Sequence, residues 1–173
     1  MQSNYGFMPI DLSARPFVSA DITYKKVSSH WEEQAYFELR RQVFKCEQNL
    51  HFVREKDTND CIATPIVAVA NFCAVGQEVV GAVRVFKTEE RTWFGGRLCV
   101  KKSYRGTLNI GKKLINEAIM LAKMNGCDHF FADIQLDNVN YFKRLFWKPL
   151  YPLEVSGKPH LRMEVDLTRY PIY

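Results

Sequence analysis

Residues 96–121, GRLCVKKSYRGTLNIGKKLINEAIML, decide how this chain is read. Leu98-Cys99-Val100 has the character of a strand. Lys101 to Asn109 is a basic turn punctuated by glycine, and an amphipathic helix follows it. A strand, a glycine-containing turn and a helix N-terminus together suit a phosphate. The first turn of a helix carries N–H groups without intrahelical partners and the positive end of the helix dipole. Gly106 and Gly111 let backbone come close to a ligand. Lys101, Lys102, Arg105, Lys112 and Lys113 add positive charge around the same point. The bland alternative is a plain strand–helix connection with a solvated basic face.

The totals limit the rest. At 173 residues the chain suits one domain. We expect an N-terminal arm over residues 1–20 and a single domain over 21–173. A hydrophobic content of 47% with 25% charged residues fits a globular protein. The chain has no apolar run of about 18 residues, so no membrane partner is expected. The N-terminus lacks the basic start and apolar core of a secretory signal. Five cysteines, an odd number without metal-type spacing, point to a reduced, cytoplasmic location and to no metal. Cys73 and Cys99 lie in strand-like runs and read as small buried hydrophobes. The net charge of +5 suits a phosphate-bearing ligand, whereas nucleic acid would ask for a longer basic stripe.

Outward from the opening stretch, the periodicities predict β-α-β-β-β-α-β-α-β-β. Residues 21–27 read as a strand, and Ser29 with Glu32 as a capping box. The helix behind that box runs to about residue 44 or 47. Residues 45–63 are polar, with Asn49 to Val53 a short helix or loop. Glu55, Asp57 and Asp60 form an acidic cluster, read as a solvated loop or a place for a substrate amine. Strands follow at 64–75 and 78–86 with a turn at Gly76-Gln77, then a strand at 91–100. Gly81 marks a bulge or a close backbone approach. The helix after the basic turn stops at Gly126. Residues 128–135 read as a strand buried on both sides. Asp137 caps a short helix that Pro149 ends, and strands at 151–155 and 160–167 complete the chain. The fold class is α/β (α+β): a mixed, mostly antiparallel sheet of about seven strands with helices on both faces. The strand–helix–strand crossover through residues 91–135 should be parallel and right-handed.

Three stretches resemble the GNAT (Gcn5-related N-acetyltransferase) superfamily across roughly residues 21–167. Leu39 to Gln48 with Asp57 to Asp60 is similar to an "LR-x-x-VF-x-x-EQ … D-x-x-D" pattern of one branch. Leu98 to Gly111 is similar to the acetyl-CoA signature "L-x-V … YRG-x-G-x-G". Phe142 to Trp147 is similar to "FY-x-x-x-GF". The resemblance extends to a subgroup of nitrogen-starvation acetyltransferase-like proteins. It implies acetyl-CoA as co-substrate and a V-shaped opening between the fourth and fifth strands. The pantetheine arm would pair with Leu98, Cys99 and Val100. The pyrophosphate would sit on the turn, through Arg105, Gly106, Thr107, Asn109, Ile110, Gly111 and Lys112. Gln135, Asn138 and Phe142 would line the arm. The implied partner is a small-molecule amine, bound between residues 44–60 and 151–160.

Two departures from the family pattern bear on the chemistry. The turn from Arg105 to Gly111 is a residue longer than usual, which a left-handed Asn109 could absorb. The tyrosine that commonly protonates the leaving thiolate is matched by Phe142, with Tyr141 next to it. Glu47 and Asp133 are the candidate bases. Glu47 could instead pair Arg40 or Arg41, and Asp133 an arginine such as Arg97. An acyl-cysteine at Cys99 lacks a base at readable spacing. His51 and His129 read as structural. A non-catalytic acyl-CoA-binding module and an acyl-homoserine-lactone-synthase-like acyltransferase are the competing readings. The aromatic C-terminus, Tyr170 to Tyr173, is suited to covering a subunit contact in a homodimer.

Overall fold

The structure, a computed structural model, describes residues 18–49, 56–73, 75–106 and 108–171. Most of the N-terminal arm, the expected element at Leu50 to Val53, His51, Glu55, Thr107 and the last two residues lie outside the described residues.

Seven strands form one sheet in the order β1-β2-β3-β4-β5-β7-β6. They are β1 Ile22–Lys26, β2 Thr64–Phe72, β3 Val75–Glu89, β4 Thr92–Val100, β5 His129–Gln135, β6 Trp147–Val155 and β7 Lys158–Val165. Helix α1 is His30–Arg40, α2 is Ile110–Met124 and α3 is Val139–Arg144. Every neighbouring pair is antiparallel except β4–β5, which is the parallel crossover the sequence implied. The capping box is present at Ser29 and Glu32, and α1 runs on through a π-helical segment, Arg41–Glu47. Its apolar stripe (Tyr36, Leu39, Val43, Phe44) packs on Val67, Val69, Ala82 and Cys99. On the other face, Ile110, Leu114, Ile115, Ala118 and Ile119 of α2 pack on Ala68, Val83, Val85, Phe130 and Ala132. Helix therefore covers both faces. Gly81 makes the close approach possible, since a Cβ there would lie 2.8 Å from Ile110 Cγ2 and 2.9 Å from Leu114 Cδ1. The ladder is irregular beside it, where Ala68 pairs Gly81 but Val69 pairs Val79.

Several local readings change. The β2–β3 turn falls at Cys73, not at Gly76-Gln77, which belong to β3. Cys73 is exposed there with φ 51°, so it is a turn residue rather than a buried hydrophobe. Strand β5 buries only Phe130, Ala132 and Ile134, and its alternate residues are partly open. Asp137 lies in a 3₁₀ turn, and Asn138 precedes α3. That helix ends at Arg144, ahead of Phe146 at φ 61°, and Pro149 lies inside edge strand β6. An edge strand tolerates proline because its missing N–H would face solvent.

Asp57 and Asp60 of the acidic cluster are held by arginines rather than left in solvent. Asp57 caps a 3₁₀ turn, Thr58–Cys61, and Asp60 lies within it; three arginines clamp the pair from three elements. Arg40 of α1 meets Asp60 at 2.7 and 3.1 Å and donates to the Tyr36 hydroxyl at 2.9 Å. Arg84 of β3 chelates Asp57 at 2.6 and 2.9 Å and reaches Asp60 at 2.8 Å. Arg97 of β4 meets Asp57 at 2.9 Å. The Arg40 and Asp60 side chains are each 2% exposed. Burial pushes both carboxyls up, but the guanidiniums outweigh it and hold both below the usual carboxylate range.

Because the folded carboxyls titrate below their unfolded values, their contribution to stability is complete above about pH 4 and drains away as pH falls through the folded values. Asp60→Asn strands a buried guanidinium and should cost roughly 3 kcal/mol or more at neutral pH. Urea unfolding across the acid range should also show a shallower loss of stability for the variant than for wild type.

Candidate functional site

The pairing of β4 with β5 covers only Thr92 to Gly95 against His129 to Ala132. Beyond that point the two parallel strands separate. A bulge in β4 causes the departure. Arg84 pairs Gly96 and Ala82 pairs Cys99, so Arg97 and Leu98 together stand opposite Val83. Arg97 takes φ 55° inside this bulge, and its side chain is tied to Asp57. The β5-side edge of β4 from Gly96 to Val100 is therefore left without a strand partner, although the backbone groups of such an edge demand one.

At the upper end of the opening the basic turn begins. Lys102–Tyr104 is a 3₁₀ turn, with the Tyr104 hydroxyl accepting from the Ser19 N–H at 3.2 Å. Gly106 has φ 81°, a conformation that disfavours a side chain. Asn109 precedes α2 in the left-handed region, φ 53° and ψ 31°, which absorbs the additional residue as the sequence suggested. Ile110 is a core residue, so only its backbone N–H faces the turn. Lys102, Lys112 and Lys113 are exposed around this point. Lys101 is engaged by Glu78.

Arg105 folds back over the opening. Its Nε donates to the Val100 carbonyl at 2.7 Å, and its Nη2 lies 2.6 Å from Glu47 Oε2. The partner of Glu47 is thus Arg105, not Arg40 or Arg41. Gln135, at the end of β5, donates to Gln48 Oε1 at 3.0 Å and so spans the gap from the β5 side. Lys158 Nζ lies 3.3 Å from the Gln48 carbonyl. Glu47, Arg105, Gln135 and the Leu98–Val100 backbone meet here. Asn138 is exposed outside that group.

Phe142 does not face the opening. It is 7% exposed and packs edge-on against Trp147 at 5.3 Å between centroids. The neighbouring Tyr141 does the opposite. Its hydroxyl lies 3.6 Å from where a Gly111 Cβ would stand, and Val100 Cγ2 lies 3.9 Å from that same point. The phenol therefore sits between the end of β4 and the first turn of α2. Burial raises its pKa, with Arg144 opposing, so it is protonated at neutral pH.

Asp133 belongs to the α1 face of β5. Arg162 holds it at 2.5 and 3.1 Å, replacing the expected Arg97. It lines an open cavity of about 660 Å³ together with Asn59, Phe86, Glu89, Phe94, Phe131 and Arg162. Among the described residues of the expected acceptor-binding ranges, only Asn59 contributes to this cavity. The remaining lining comes from the β3–β4 hairpin, β5 and β7, which sequence patterning could not bring together.

Cys99 faces the α1 core, and burial pushes its thiol up to about 12, with Arg40 and Arg105 opposing. A thiol in that range is not a nucleophile at neutral pH. Native labelling with a maleimide should modify Cys46, Cys61 and Cys73 and spare Cys99 and Cys127, as read by intact mass. Among the described residues no group of three or more His, Cys, Asp or Glu is arranged for a metal, and no helix is long and apolar enough to cross a membrane.

The comparisons agree with this geometry. A family model described as "Acetyltransferase (GNAT) family" matches residues 24–146. No curated protein matches the chain by sequence. Among solved structures, Escherichia coli ElaA is similar at 22% identity and TM-score 0.73, covering 84% of this chain and 100% of its own. An acyl-CoA N-acyltransferase from Pseudomonas aeruginosa follows at 21% identity and TM-score 0.70, with 84% and 98% covered. A GNAT-family acetyltransferase from Staphylococcus aureus has 18% identity and TM-score 0.68, with 85% and 99% covered.

Proposed function

The chain belongs to the acetyltransferase (GNAT) family, and from that premise we propose that it acetylates a small-molecule amine by direct attack on the thioester of acetyl-CoA. The observation that carries the proposal is the unpaired edge of β4 beyond Gly95, which ends at a basic turn and the N-terminus of α2.

The pantetheine amides take the edge of β4 at Leu98, Cys99 and Val100. The pyrophosphate takes the N–H groups from Gly106 to Lys112, where loop amides, helix dipole and lysines act together. Arg105 is the residue that changes partners. In the present arrangement it occupies both the Val100 carbonyl and Glu47. An incoming pyrophosphate competes for its guanidinium, and its departure frees a β4 carbonyl and a carboxylate together. Glu47 then takes a proton from the acceptor ammonium. The amine lone pair attacks the carbonyl carbon, whose oxygen accepts from a β4 N–H near Leu98 or Cys99. The C–S bond breaks as the amide forms, Tyr141 gives its proton to the departing thiolate, and the second proton of the attacking nitrogen leaves to water, from which Tyr141 regains its own. Asp133, chelated by Arg162, orients the acceptor rather than deprotonating it. Tyr141, next in the chain to Phe142, is the candidate proton donor that the non-catalytic reading lacked.

Acetyl-CoA should raise the melting temperature, and a pooled amine panel should release free thiol. No melting shift with acetyl-CoA or a longer acyl-CoA would overturn the reading. Tyr141→Phe should lower kcat by about a hundredfold with the KM for acetyl-CoA little changed. Phe142→Tyr, whose new hydroxyl would be aimed into the core, should not rescue it. Glu47→Gln should lower kcat by a similar factor.

A further inference from the structure

The open cavity on the α1 face has an uneven chemistry that specifies more than an amine. Its floor is aromatic: Phe94 and Phe131 are partly open, and Phe86 lies 5.5 Å from Phe94 between ring centroids. Its upper end is Asp133, one residue beyond the last β4–β5 pair, and so at the mouth of the opening where acetyl transfer would occur. Its lower end is Glu89, on the β3–β4 hairpin. The two carboxylates differ in occupancy. Arg162 chelates Asp133, whereas no hydrogen bond or ion pair among the described residues engages the Glu89 side chain. His129, also in the lining, is bonded at Nδ1 to Glu164 at 2.8 Å rather than to Glu89. The lining carries Glu89 and Asp133 against Arg162 alone, an acidic balance on a chain whose net charge is +5.

We propose that this cavity holds the acceptor, and that the acceptor is an elongated amine with two cationic ends joined by an apolar spacer. The proposal rests on the acetyltransfer reading above and names its substrate class. The reactive nitrogen stands at Asp133, beside the opening. The spacer lies over Phe94 and Phe131. The second cation meets Glu89. The sheet register sets the length: Glu89 pairs Thr92, and Thr92 pairs His129, four residues before Asp133. Strand rise and strand spacing put the Glu89 and Asp133 backbones on the order of 15 Å apart. An extended eight-carbon diamine spans about 11 Å between nitrogens. A hydrogen bond of about 2.8 Å at each end completes the distance. An acceptor with a carboxylate in place of the second cation meets Glu89 and is repelled. A monoamine gains the aromatic floor but leaves Glu89 unpaired.

Three probes of one length test this: 1,8-diaminooctane, octylamine and 8-aminooctanoate. Thiol release from acetyl-CoA should give kcat/KM highest for the diamine, about tenfold above octylamine, with the amino acid lowest. Glu89→Gln should bring the diamine down to the octylamine value, mostly through KM, and should raise 8-aminooctanoate. Equal kcat/KM for diamine and monoamine in the wild type would overturn the proposal. A Glu89→Gln variant that lowers all three alike, or changes none, would do so too. Failure of the acetyltransfer reading looks different, because none of the probes then releases thiol and acetyl-CoA fails to shift melting. Calorimetric binding of 1,8-diaminooctane still decides the inference in that case. Binding weakened by Glu89→Gln supports it, and binding absent or unchanged sinks it.

Discussion

The clamp of Arg40, Arg84 and Arg97 on Asp57 and Asp60 is the interaction on which the rest of the molecule depends. Desolvating five charges is expensive, and a buried ion network is weak evidence for stability gained. Its value here is geometric. One short stretch, residues 57–61, supplies both carboxylates, and three elements supply the guanidiniums. Removing any member leaves a charge without compensation, so the three elements are held in one relation. Arg97 is the member that matters for function. It stands in the β4 bulge with φ 55°, a conformation that costs a side chain energy. The bond to Asp57 offsets that cost and fixes where β4 leaves β5. The D-x-x-D spacing and the arginine of the first helix are thus structural parts of the site without touching it.

A separated pair of parallel strands exposes backbone that ordinary folds pair, and the groups around the gap are arranged in consequence. Arg105 covers one β4 carbonyl and one carboxylate, while Gln135 and Gln48 bridge the other side. These contacts satisfy polar groups that would otherwise stand unpaired in a half-buried cleft. Each is made by a long side chain with an exposed or half-exposed stem, so each yields at little cost to a ligand offering better partners. The phenol of Tyr141 is different. It lies beside Gly111 and Val100, and a Cβ at Gly111 would stand at ordinary contact distance from it.

Much of this was readable in the sequence because it rests on local pattern. The 3.6-residue stripe of α2, the capping box at Ser29 and the glycine stop at Gly126 depend on near neighbours in the chain. The element order, the parallel crossover and the left-handed Asn109 followed from periodicity, from connection rules and from a turn one residue longer than usual. What could not be read depends on long-range register. Asp57 and Asp60 looked like free acids, and Glu47 was matched to the wrong arginines, because their partners lie 20 or more residues away in other elements. Tyr141 and Phe142 differ by about 100° around a helix, and no local signal says which direction is the core. The packing of Trp147 on Phe142 decides it. The aromatic floor of the cavity likewise joins Phe86, Phe94 and Phe131 from three strands, which alternation assigns to a face but not to a common site.

The sheet separates two chemically opposed surfaces, and their meeting point explains why the opening lies where it does. On the edge leading to α2, lysines and backbone amides favour an anion. On the α1 face, Glu89 and Asp133 above a floor of phenylalanine favour a cation with an apolar body. A direct transfer requires the thioester of one ligand and the nitrogen of the other to touch, yet a continuous sheet would keep them apart by its own thickness. Ending the β4–β5 ladder at Gly95 and Ala132 removes that barrier at one place. Asp133 is the first residue past the break on the cationic side, and Leu98 stands in the bulge on the other strand. On the proposed reading, the bulge that the arginine clamp holds would determine which acceptor atom reaches the thioester, so a buried charge network would set the alignment of the reacting pair.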